Sequence, residues 1–96
     1  MTTVRPAENR AELQGVVRWV QLGGDGMQVV LDVGRVRPVP GMANLLAGAA
    51  GQTLPVTLVP GGGDDPPQTG ARIRLLARLA APRRTVSIPG TLVPAL

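Results

Sequence analysis

Ala71-Arg-Ile-Arg-Leu-Leu-Ala-Arg-Leu-Ala80 is the stretch on which the fold turns. Its residues have good helix propensity. On a helix, at about 100° per residue, Arg72 lies far around the cylinder from Arg74 and Arg78. On a strand, Ala71, Ile73, Leu75, Ala77 and Leu79 share one face, while Arg72, Arg74 and Arg78 share the other with Leu76 between them. The strand sorts charge from apolar surface more cleanly, so the segment is read as a strand with one arginine-bearing face. The alternative is a basic amphipathic helix suited to a membrane surface or a partner's groove.

Four other segments carry β signals. Residues 12–22 are rich in β-branched residues and apolar on both faces: Leu13, Gly15, Val17 and Trp19 on one, Val16, Val20 and Leu22 on the other. A bulge that switches phase produces such a strand, and Gly15 is a plausible place for it. Residues 23–26, Gly-Gly-Asp-Gly, then make a hairpin turn, because glycine and aspartate accept positive φ. Residues 27–33 alternate, with Met27, Val29, Leu31 and Val33 pointing inward. Residues 53–59 alternate too, with Leu54, Val56 and Leu58 inward and Pro55 outward, where no ladder donor is needed. Residues 85–88 form a short strand with Val86 and Ile88 read as inward.

Between these strands, residues 42–50 are rich in helix formers and end at Gly51, which predicts one short helix. Residues 60–70 are a Gly/Pro loop. Residues 1–11 are a flexible polar lead-in, and residues 12–96 form one domain. The apolar residues 90–96 are expected to pack back onto the sheet. The fold class is therefore all-β, a five-stranded barrel with one short helix.

At this point the chain resembles the OB-fold family of Greek-key barrels. The resemblance rests on Leu13-Gln-Gly-Val-Val, where a glycine lets the opening strand coil, and on Thr69-Gly-Ala-Arg-Ile-Arg-Leu-Leu-Ala-Arg-Leu79, similar to the family's fourth strand. The short strand at 85–88 is the third feature. One departure stands: the family's helix lies between the third and fourth strands, whereas residues 42–50 lie between the second and third. Another small β-barrel, such as the ligand-sensing relatives of this fold, is the alternative. What the resemblance implies is binding, commonly of single-stranded nucleic acid.

Composition narrows the chemistry. The chain has 96 residues, no His and no Cys, and its ten basic residues are all arginine. Ser-His-Asp and Cys-His devices are excluded within one chain, as are zinc sites built on Cys or His. Six carboxylates remain, and the chain is expected to be non-catalytic, with no cofactor and no metal. Gly61-Gly-Gly-Asp-Asp lacks the Gly-Lys-Ser/Thr ending of a phosphate loop. No apolar run approaches the ~20 residues of a membrane helix, and residues 1–10 do not read as a secretory signal. A cytoplasmic protein without a membrane role is expected.

A formal net charge of +4 favours polyanionic partners. Binding a single strand needs cations for phosphates and flat groups for bases. The candidates are Arg18, Arg35, Arg37, Arg72, Arg74 and Arg78, with Arg83 and Arg84 in the following turn. Arg35 and Arg37 share a face if the second strand continues past Gly34. Trp19 is the sole aromatic; it reads either as core beside Val17 or as a single stacking platform. The function expected is a small nucleic-acid-binding protein that holds single-stranded DNA or RNA through arginine–phosphate contacts. The competing reading is a protein-interaction or self-assembling module whose arginines are ordinary solvated surface.

Overall fold

The structure, a computed structural model, describes residues 8–23, 26–59 and 63–95. The strands are β1 (Ala11–Gly23), β2 (Gly26–Pro38), β3 (Thr53–Leu58), β4 (Arg72–Ala81), β5 (Arg84–Ser87) and the two-residue β6 (Val93–Pro94). The first five close into a barrel in the order β1-β2-β3-β5-β4-β1. Every junction is antiparallel except β3 with β5, which is parallel. β6 adds to β4, pairing Val93 with Arg74 and Pro94 with Ile73. Residues 71–80 are thus strand, as their charge sorting predicts. Among the described residues no helix is long and apolar enough to cross a membrane.

The barrel is filled by the inward residues of alternating strands: Leu13 and Val17 from β1, Val29, Leu31 and Val33 from β2, Val56 and Leu58 from β3, and Ile73, Leu75 and Ala77 from β4. This core has no aromatic ring, and each buried Leu or Val contributes about 1.5–3 kcal/mol. Pro55 lies on the outer side of β3, just before the two residues that pair with β5.

β1 serves two partners because it bends. Gln14 faces Arg35 and Gly15 faces Val33, so Gly34 is an extra residue on β2; Val17 faces Leu31 and Trp19 faces Val30, so Arg18 is an extra residue on β1. Bulges add local twist, and here they coil β1 so that its first half also pairs with β4. The crossing is tight at Gly15. A Cβ there would overlap the Asp32 carbonyl oxygen and lie 3.1 Å from Val33 Cα.

The Arg18 bulge also corrects an expectation. It shifts the phase of β1, so Val20 turns toward the core and Trp19 turns out. Trp19 is 45% exposed and is not a core residue beside Val17. It stands beside Val30 of β2, which in turn pairs with Pro55 of β3. Val30 is only 4% exposed although it stands outside the interior cluster.

The expected helix over 42–50 shrinks to one 3-10 turn, Ala47–Ala49. Its backbone groups have competing partners. The Ala43 carbonyl accepts from Arg10 N at 3.1 Å, and Asn44 Oδ1 accepts from Leu46 N at 3.2 Å, as an Asx turn does. Gly51, at φ +80°, then returns the chain to β2 by donating to the Val33 carbonyl. Propensity loses to these long-range bonds, and Leu46 is left to cover one end of the core.

A second correction concerns β5. Ser87 faces buried Ala77 and Thr85 faces Leu79, so these two look inward, and Val86 shares the outer side with Arg78. Both phases of this short strand are covered, which hides its orientation from a pattern of alternation. The tail does pack back, with Leu92 against the core. Of the lead-in, residues 1–7 lie outside the described residues. Asn9 is buried, donating to the Leu79 carbonyl at 3.1 Å and accepting from Leu79 N at 2.8 Å. The tip of the expected hairpin turn, residues 24–25, also lies outside them, but Gly23 faces Gly26 at its base.

Candidate functional site

Strand pairing assembles three rows across the outer face of β2, β1 and β4. Arg37, Glu12 and Leu76 form one row; Arg35, Gln14 and Arg74 the next; Asp32, Val16 and Arg72 the third. β2 does continue past Gly34, and its bulge keeps Arg35 and Arg37 exposed on this side. Arginines on β2 and β4 are two strand spacings apart, about 10 Å between Cα atoms, with β1 as the floor.

Arg35, Arg37, Arg72 and Arg74 are all exposed. Among the described residues the single ion pair joins Asp32 Oδ1, in the third row, to Arg18 Nη1 at 3.8 Å and involves none of these four arginines. Glu12, in the row with Arg37, forms no such pair. Four guanidiniums therefore share one face with Glu12 and Asp32 and form an ion pair with neither. In water each pair at 10 Å repels by only about 0.4 kcal/mol, a cost small enough to keep in exchange for an anion-attracting surface.

Arg18 and Trp19 flank this face along β1. Arg18 Nη1 lies 3.4 Å from Thr53 Oγ1, and Thr53 Oγ1 donates to Asp32 Oδ1 at 2.8 Å. The guanidinium carbon of Arg18 lies 5.9 Å from the Trp19 ring centroid, within cation–π range. Both side chains of the Arg18–Asp32 pair are about half exposed, so the pair orients groups more than it stabilises the fold. Trp19 thereby offers a flat, half-exposed surface beside a positive charge.

Arg78 stands apart. It is exposed on β4 opposite Val86 of β5, past Ala77, where the β1 pairing ends. It belongs to the side of the β4–β5 hairpin, whose turn holds Arg83 at φ 63°. Of the candidates read from the sequence, Arg35, Arg37, Arg72 and Arg74 share the three rows, Arg18 and Trp19 flank them, and Arg78 lies farther along the outer side of β4, toward Arg83 and Arg84 at the β4–β5 turn.

Comparison of the chain with family models, curated proteins and solved structures finds no match.

Gln14, Val16, Asp32 and Thr53 belong to the site and were not singled out from the sequence. Alternation places each of them outward, but only strand register shows that they stand between or beside the arginines. Asp64 has another task. Its carboxylate accepts from Gly90 N at 2.9 Å and Leu92 N at 3.4 Å, which ties the loop after β3 to the chain after β5. Among the described residues no three His, Cys, Asp or Glu side chains gather as metal ligands would.

Proposed function

We propose that the outer face of β2, β1 and β4 binds single-stranded nucleic acid, with Arg35, Arg37, Arg72 and Arg74 on phosphates and Trp19 beneath a base. The observation that carries this reading is the four exposed arginines without an ion-pair partner, arrayed on both sides of β1. The closed strand order, with β3 and β5 parallel, supports assigning the barrel to the OB-like class, in which such ligands are common. Single strands suit the site better than duplex, because only unpaired bases leave a ring face open for Trp19 and the arginine planes.

The test is a titration of the full chain with labelled oligo-dT and with its duplex, followed by anisotropy and Trp19 emission at several salt concentrations. The single strand is expected to bind more tightly. Its log affinity should fall against log salt with a slope of about −0.7 per phosphate contact, roughly −3 for four contacts. An affinity indifferent to salt would sink the proposal.

A second reading has its own observation. Beyond Val17, β1 pairs with β2 alone, and Leu22 on that stretch is 83% exposed. An open strand edge of this kind can pair with a partner or with another copy. Concentration-dependent association with no oligonucleotide binding would favour that module.

A further inference from the structure

We infer that the row Asp32–Val16–Arg72 is a base-reading position that prefers guanine. The inference rests on the nucleic-acid reading above and names the base that one part of that face selects. The three residues stand side by side on β2, β1 and β4. They line a cleft of about 210 Å³ together with Gln14, Gly15 and Arg35. That volume lies below the ~300–1,000 Å³ of pockets that enclose a whole ligand, and suits one planar base lying across the face. The Val16 side chain, 36% exposed, forms an apolar floor, and Gly15 and Gly34 add backbone without side chains beside it.

The two walls have opposite chemistry. An ionised carboxylate only accepts hydrogen bonds, and a guanidinium only donates. Asp32 Oδ1 is engaged by Thr53 and faces Arg18, whereas Oδ2 has no protein partner among the described residues. About 10 Å separates the Cα atoms of Asp32 and Arg72 across β1. A base lying on Val16 must therefore present donors to one side and acceptors to the other. Guanine does so: N1–H and the N2 amine face the carboxylate, while O6 and N7 face the guanidinium. Adenine places its N1 acceptor against the carboxylate. Thymine flanks its one N–H with two carbonyls, and cytosine is a smaller ring with a single donor group.

The experiment compares four short oligo-dT strands that differ at one central position, dT, dG, dA or dC, in binding to the full chain. The dG strand should bind about tenfold more tightly than all-dT, in line with one good base contact. Asp32→Asn should reduce that preference to about twofold or less, read as the ratio of dG-strand to all-dT affinity within the same variant, because Asp32 meets the base and not a phosphate. Its melting temperature, measured alongside, should stay close to that of the native chain, since Asp32 is exposed. Equal binding of all four strands, or a guanine preference that survives Asp32→Asn, overturns the inference and leaves the nucleic-acid reading standing. No binding of any strand overturns both. Guanosine monophosphate is the control for source: competition as strong as that of the dG strand keeps the guanine position but makes a free nucleotide its ligand.

Discussion

Gly15→Ala is expected to lower the stability of the domain by about 3 kcal/mol, the upper range for overfilling a packed site. The added Cβ meets backbone, not a side chain that can swing away: the Asp32 carbonyl oxygen, its carbon at 2.9 Å and Val33 Cα at 3.1 Å. Relief requires β1 to separate from β2 just where Gly34 is the extra residue, and the same bend lets β1 reach β4. Against a total of ~5–15 kcal/mol for a domain, that is a large loss. Urea denaturation measures it as a midpoint lowered by about 2 M, taking a slope of ~1–3 kcal/mol per M. Gly48→Ala supplies the contrast. Nothing lies within 4 Å of a Cβ at Gly48, and that variant should match the native chain within about 0.5 kcal/mol. Equal midpoints for the two variants would contradict the tight crossing.

The largest effect on binding is expected from replacing Arg35, Arg37, Arg72 and Arg74 together by glutamine. The change removes a charge equal to the whole formal net charge of +4. Affinity for a single strand should fall by about a hundredfold or more at low salt, since each charge-assisted hydrogen bond contributes roughly 1.5–3 kcal/mol. The salt dependence should flatten with it, because the counterions released on binding are those displaced by these four side chains. All four positions are exposed, so the fold should tolerate the change, which thermal unfolding checks. Replacing Arg78, Arg83 and Arg84 instead should cost far less, as they lie on the side of the β4–β5 hairpin. A larger loss from that second set would place the ligand there.

Much of the fold is legible in the sequence because it depends on local alternation. The strand at 71–80 follows from how its arginines sort, and the β1–β2 pair from two apolar runs about a glycine-rich turn. The misreadings have long-range causes. Arg18 carries no local signature of a bulge, yet its extra residue turns Trp19 from core to surface. Residues 42–50 have helical propensity, but Arg10 and Val33 claim the backbone groups at either end of the segment. β5 has apolar residues in one phase and Thr85 and Ser87 in the other, and the barrel buries both. The site follows the same division. Outward arginines can be read from alternation, but the neighbourhood of Arg35, Gln14 and Arg74 exists only through the register of three strands, with Arg35 and Arg74 lying 39 residues apart in the chain.

Amide chemical-shift mapping with a short oligo-dT tests the central claim most directly, because it locates the ligand without altering the protein. The account predicts that the largest shifts fall on Gln14, Val16, Trp19, Arg35, Arg37, Arg72 and Arg74, with the indole N–H of Trp19 among them. Shifts centred on β5 and the β4–β5 turn, with the β2–β1–β4 face unmoved, would contradict it.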